Sequence, residues 1–276
     1  MQGDKLPGVT SQFSTVMTRW KASSIHLAMS AVIGSAVLAL MLLVWYPHPI
    51  FEAVGGQQVL MILLGVDVTL GPFITLLIFN TKKSRRALTF DLSVIAVMQL
   101  MALLYGMSVV FQARPAYLVF SKDSFDLVTA NMLSEDDLAK AKNPEYRSLP
   151  LTGPVYVYSE MPADIKERNE VVLSAFSGKD LPQFPEYYKP YAEHMVAAGQ
   201  AASRLVELKK INPARATEID DAIRASGRSE ADLGFVPLRA KYRSLTVLVG
   251  KSDGKILAVL SMDPWPRSNM PNRDKK

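Results

Sequence analysis

Asp67 lies inside an apolar run, residues 59–79, that is about as long as a bilayer is thick. An ionised carboxylate at that depth costs several kcal/mol unless it is protonated, hydrated or paired. Its partner is therefore the first chemical question the sequence poses. Counted from the basic loop at residues 82–86, Asp67 lies ~18 Å along its segment and Tyr105 ~19–20 Å along the next apolar run, residues 92–111. The two side chains are expected to meet. Gln99, at ~10 Å, ranks below Tyr105, and Ser35 in the first apolar run, at ~15 Å, is a further candidate. Gly71 and Pro72 follow Asp67 in the same segment. Two roles stay open for Asp67. One is an internal hydrogen bond that pins helices together, worth ~0.6–2 kcal/mol. The other is a contact with a membrane helix of another protein.

Catalytic chemistry finds little support. A proton-sharing carboxylate pair needs close approach, but Asp91 sits at the far end of its segment, ~18 Å from Asp67 along the helix axes. The chain has no cysteine, which excludes disulfides, thiolate metal sites and cysteine nucleophiles. His194 is the sole histidine of the C-terminal half and has no second ligand at metal-binding spacing, so it reads as a helix surface residue. No G-x-S-x-G occurs. Phe184, Tyr187, Tyr188 and Tyr191 read as a loop packing its rings on a sheet, with a docking patch as the alternative. No catalytic residue, metal ligand or cofactor site is assigned.

The elements that position these residues follow from composition. The 276 residues are 49% apolar, with a mean hydropathy of +0.12. That average hides two halves meeting near Arg114 and Pro115. The formal charge of +5 divides unevenly: 8 basic against 4 acidic residues up to Pro115, and 23 against 22 beyond it. The C-terminal half is thus nearly neutral, which argues against nucleic acid as a partner.

Residues 25–46, 59–79 and 92–111 are each long and apolar enough to cross ~30 Å of hydrocarbon. The first exceeds a signal-peptide h-region and lacks an A-x-A site, so it reads as an uncleaved span. Lys5, Arg19 and Lys21 precede it, and Lys82, Lys83, Arg85 and Arg86 separate the second span from the third. The positive-inside rule then makes residues 1–24 and the loop cytoplasmic. Everything after Arg114 lies outside, in the periplasm of a bacterium. Trp20, Trp45, Tyr46 and Tyr117 fit interfacial anchors.

The expected fold is a three-helix transmembrane region, residues 25–114, followed by an α+β periplasmic domain, residues 115–266, with a C-terminal β-hairpin. Residues 116–120, 125–129 and 155–158 read as strands. Ser134 caps a short acidic helix, and residues 163–176 form another. Residues 181–190 read as a loop, and 191–210 as one long helix with a buried stripe. Asn212 and Pro213 open a further helix that Gly227 ends. Residues 245–249 and 256–260 flank Ser252-Asp253-Gly254 as a hairpin and, being apolar on both faces, are expected in the sheet centre. Residues 267–276 read as a disordered tail.

The order Trp45-Tyr46-Pro47, Gly65-Val66-Asp67-Val68-Thr69-Leu70-Gly71-Pro72, Asp91-Leu92, Gln99, Tyr105-Gly106 and Ala113-Arg114-Pro115 resembles the TfpX/TfpZ family of type IV pilin accessory proteins. Residues 233–238 and Asp263-Pro264-Trp265 are similar to that family too. The resemblance implies a bacterial inner-membrane protein without an enzymatic step. Its partner is then a type IV pilin subunit, which it assists before or during pilus assembly. A membrane-anchored periplasmic ligand sensor is the alternative, weakened by a cytoplasmic side too small for an output domain.

Overall fold

The computed structural model describes residues 18–80 and 82–266. The expected tail at 267–276 and most of the segment 1–24 lie outside the described residues. The elements in chain order begin with α1 (Arg19–Leu40), which runs on into a π-helical turn at Met41–Trp45. Next come α2 (Ile50–Ala53), α3 (Gly56–Gly65), a second π turn at Val66–Leu70, α4 (Gly71–Ile78) and α5 (Arg85–Gln112). Then follow β1 (Pro115–Ser121), β2 (Ser124–Thr129), α6 (Glu135–Ala139), β3 (Val155–Ser159), α7 (Ile165–Ala175), β4 (Tyr188–Pro190), α8 (Tyr191–Ala201), β5 (Ser203–Arg204) and α9 (Leu205–Ile211). The last are α10 (Ala216–Ser226), β6 (Leu233–Arg239), β7 (Leu245–Gly250) and β8 (Ile256–Leu260).

Two helical stretches, Arg19–Trp45 and Arg85–Gln112, are long and apolar enough to cross a membrane. The stretch between them is helical from Gly56 to Ile78 but is interrupted by the π turn. Pro72 accounts for the interruption. It has no N–H to give the carbonyl of Val68, and its ring crowds that turn, so the preceding residues widen into a π turn. The chain divides into two compact units, Met1–Ser35 with Leu63–Leu104, and Ala36–Ile62 with Tyr105–Lys276.

The second unit holds a mixed sheet in the order β4-β3-β1-β2-β6-β7-β8, with β5 paired to β6 off that path. β1 is buried at every position because it pairs on both edges, antiparallel to β2 and parallel to β3. One sheet face carries Leu118, Phe120, Phe125, Val236 and Val247, covered by Tyr191 and Ala198 of α8. The opposite face carries Tyr117, Val119, Val128 and Val157 against Leu138, Tyr146 and Tyr188. Leu205, Leu208 and Ile219 of α9 and α10 pack on Leu233, Phe235 and Leu248.

The α+β class, the first three strands and the hairpin follow the sequence expectations. Three assignments do not. Residues 191–210 are two helices, because Ser203 and Arg204 pair with Phe235 and Gly234 and break the helix. Residues 188–190 are a strand on the β3 edge, not loop. β8 occupies a sheet edge and is half-buried throughout, so an apolar sequence on both faces did not mark a central strand. The hairpin turn depends on Gly254, whose φ is +63° and whose missing Cβ makes room for the Met195 carbonyl. Tyr117, expected at the interface, is instead a core residue whose hydroxyl donates to the Ser148 carbonyl at 3.1 Å.

Asp126 of β2 sits among these strands with its carboxyl pushed up to about 6, chiefly by burial. Arg239 pulls the other way, while Asp180 and Asp123 add to the rise. A carboxyl whose folded value exceeds its unfolded one holds its proton more tightly when folded. Stability should therefore fall as pH rises from about 4 to about 6, by on the order of 2 kcal/mol, and stay level above that. Thermal unfolding of the full chain in detergent across pH 4–8 should show this decline, and Asp126→Asn should flatten it and raise stability at pH 7.

Candidate functional site

α1 carries a polar row at Ser23, His26 and Ser30, spaced three and four residues apart and therefore on one face. Within the first unit that row meets α4 and α5. The His26 ring lies 2.6 Å from Thr75 Oγ1 through Nδ1 and 2.6 Å from Gln99 Oε1 through Nε2. With a carbonyl oxygen facing it, Nε2 carries a proton and donates to Gln99. In the neutral ring, Nδ1 then accepts from the Thr75 hydroxyl. Ser23 Oγ donates to the Pro72 carbonyl at 2.9 Å, a second polar tie between α1 and α4.

Gly71 makes this convergence possible. A Cβ there would overlap the Gln99 side-chain amide and stand 3.1 Å from His26 Nε2. Gly71, Pro72 and Thr75 are all buried, and Thr75 is only 1% exposed. Next to the cluster is a small, largely apolar cavity of ≈ 160 Å³ walled by Met29, Ile33, Ala96, Leu100 and Leu103. Its polar wall is His26, Ser30 and Gln99. The cluster can bind and orient by hydrogen bonds. Among the described residues no group of three or more histidines and acids could hold a metal ion.

The expected site residues separate. Gln99, Gly71 and Pro72 come together around His26. Tyr105 is 72% exposed and forms no part of the cluster. Ser35 is also exposed, its hydroxyl donating to the Ala31 carbonyl of its own helix at 2.8 Å. Asp67 falls on the π turn, and its side chain lies outside the described residues. His26, Thr75 and Ser23 escaped sequence reasoning. The available signal was the spacing of Ser23, His26 and Ser30 within an otherwise apolar run.

Arg114 and Pro115 form a joint in the second unit. Trp45 packs on Phe111 with ring centroids 5.2 Å apart, and the Arg114 guanidinium covers the same ring at 3.8 Å. The buried Arg114 donates from Nη1 to the Phe111 carbonyl at 2.7 Å, and from Nε and Nη2 to the Pro150 carbonyl at 3.1 and 2.8 Å. Tyr46 donates its hydroxyl to the Val110 carbonyl at 2.7 Å. Of the C-terminal aromatic residues, Tyr188 and Tyr191 are core, and His194 stacks on Tyr158 at 4.4 Å.

Comparison with known proteins points one way. The family described as "Fimbrial assembly protein FimB" matches residues 14–55. A fimbrial assembly protein of serogroup E1 from Dichelobacter nodosus is 30% identical over 219 residues, covering 79% of this chain and 85% of that protein. The serogroup I protein of that organism is 29% identical over the same shares. The serogroups C1 and C2 protein is 32% identical over 121 residues, 44% of this chain and 92% of that protein. No solved structure matches.

Gly71 and Gly65 give a paired test of the cluster, because a Cβ at Gly65 meets nothing within 4 Å. Gly71→Val should destabilise the folded chain by roughly 1–3 kcal/mol through overpacking, whereas Gly65→Ala should be neutral or mildly stabilising. Thermal melting of the detergent-solubilised chain measures both. Equal melting temperatures for parent and Gly71→Val would remove the close approach of α4 to α5.

Proposed function

Because the chain belongs to the FimB family of fimbrial assembly proteins, we propose that it assists type IV pilus assembly as a membrane-embedded, non-enzymatic chaperone of a pilin subunit. The observation that carries this reading is the likeness to the Dichelobacter proteins. At 219 residues it is longer than the whole stretch after Pro115, so it includes part of the helical half as well as the α+β domain. The order of motifs that resembles the TfpX/TfpZ accessory proteins supports the narrower assignment to pilin.

In this reading residues 25–46, 59–79 and 92–111 cross the bacterial inner membrane, and the α+β domain is periplasmic. The outward apolar side chains support it. Val32, Leu43, Met61, Ile62, Leu77 and Phe90 are all 68–82% exposed or close to it, from Leu77 at 68% to Leu43 at 82%, where a water-soluble bundle would bury them. Only 17% and 11% of the two most apolar windows are buried. The basic residues at 82–86 support a cytoplasmic loop.

A subunit with a membrane helix and an exported head would meet both parts of such a partner. The polar cluster at His26 offers hydrogen bonds within the bilayer, where few competitors exist. The periplasmic domain offers a separate surface for the head.

Full-length chain purified from its native membranes should carry a pilin subunit, and cells lacking the chain should lose most surface pili while still synthesising pilin. His26→Leu should reduce the captured pilin severalfold without preventing insertion of the chain. Normal surface piliation in the deletion strain, with no pilin recovered on the chain, would overturn the proposal.

A further inference from the structure

The second unit contains a cavity of ≈ 590 Å³. Val59, Ala113, Asp126, Arg239, Lys241 and Tyr242 are among the residues that line it. Val59 begins one apolar segment and Ala113 follows another, so a membrane reading puts this opening at the outer edge of the hydrocarbon. Val54, Leu127 and Met132 add apolar wall.

The polar groups are of both signs and are incompletely used. Among the described residues Lys241 has no carboxylate partner; its ammonium stands 5.5 Å from the Tyr242 ring, and both side chains are exposed. The Asp126 carboxylate accepts no hydrogen bond among the described residues. Its nearest cation is Arg239, whose Nε is 3.7 Å away, beyond hydrogen-bond reach. Arg239 is shared, with NH2 also 3.7 Å from Asp123 and donating to Ser124 Oγ. The loop carrying Lys241 and Tyr242 is held in place, because the backbone N–H groups of Tyr242 and Arg243 donate to the Ala53 carbonyl at 3.1 and 3.3 Å.

A lysine ammonium with no carboxylate partner among the described residues, a partly buried carboxylate that accepts no hydrogen bond there, and an apolar wall at a membrane edge call for a ligand with complementary parts. We propose that this cavity binds the headgroup of an outer-leaflet phospholipid bearing a primary ammonium. Lys241 takes the phosphate, Asp126 accepts from the ammonium, and the upper acyl chain lies against Val59 and Met132. The ammonium is the discriminating part. A primary amine can donate to Asp126, a trimethylated one has no N–H to donate, and a glycerol headgroup has no positive charge to offset the carboxylate. The proposal rests on the membrane reading above.

Its test uses the full chain in mild detergent, titrated with phosphatidylethanolamine, phosphatidylcholine or phosphatidylglycerol of identical acyl chains and observed by native mass spectrometry. One equivalent of phosphatidylethanolamine should be retained about tenfold more tightly than either of the others, the size of one charge-assisted hydrogen bond. Asp126→Asn should remove most of that preference and Lys241→Gln should weaken retention of all three lipids severalfold, while both variants still resist alkaline extraction from membranes. Equal retention of the three lipids, a preference for the choline lipid, a preference untouched by Asp126→Asn, or retention untouched by Lys241→Gln would overturn the site. Capture of a protein segment instead of lipid by a photocrosslinker at position 241 would do the same. Release of the parent chain by alkaline extraction would instead sink the membrane reading, and this site with it.

Discussion

Arg114 is the residue on which the passage from helix to sheet depends. α5 ends at Gln112 and β1 begins at Pro115, so there is almost no chain in which to change direction. The last carbonyls of a helix lack intrahelical donors. Arg114 supplies one of them with a charged N–H while lying flat on the Phe111 ring, and its remaining donors hold the Pro150 carbonyl. Its own carbonyl then accepts from Ala130 at 2.9 Å, which ties the end of β2 to the start of β1. A lysine could offer a charge here but not a planar fork reaching two carbonyls at once. Because β1 pairs on both edges, the placement of its first residue propagates into β2 and β3 and from β2 into the rest of the sheet.

A different constraint organises the helical half. Polar side chains among apolar ones must find each other, since an unsatisfied group in hydrocarbon costs several kcal/mol. His26 satisfies that demand with both ring nitrogens, each directed to a different helix. The arrangement needs a helix surface with no side chain where Gln99 lies, which Gly71 provides. It also needs the turn before Pro72 to yield, which the π geometry allows. Glycine, proline and the π turn therefore serve the same end: they let a polar cross-link form where ordinary helix packing would hold α4 away from Gln99.

How much of this was legible follows the range of the interactions. Local signals read well. Apolar length gave the helices, Ser134 with Asp137 gave a capped acidic helix, and Ser252-Asp253-Gly254 gave the hairpin. Signals that depend on distant partners did not. Gly234 and Pro237 are poor strand formers, yet Leu233–Leu238 of β6 pair with β7, and Gly234 is needed where Ala202 and Ser203 come close. The break in the helix after Ala201 has the same cause, a pairing with β6 that no local propensity announces. Height along a helix brings Asp67 and Tyr105 level but carries no information on which way a side chain faces, so it does not single out His26.

Facing direction also decides which polar groups meet. Among the described residues of the helical half, His26 bonds Thr75 and Gln99 and Ser23 bonds the Pro72 carbonyl, while large apolar side chains such as Leu43 and Leu77 are exposed. In the α+β half the titratable groups nearest to each other are ion pairs and caps: Lys209 between Asp220 and Glu230, Arg228 forked onto Asp253, and Asp164 on the first turn of α7. Asp253 is held at about 2 by Arg228, far from the value a proton-transfer group needs near neutrality. Asp126, pushed up to about 6, lines the cavity of the second unit with Arg239 3.7 Å away. Such an arrangement is one of charges fixed on one another, in a chain that belongs to a family of fimbrial assembly proteins.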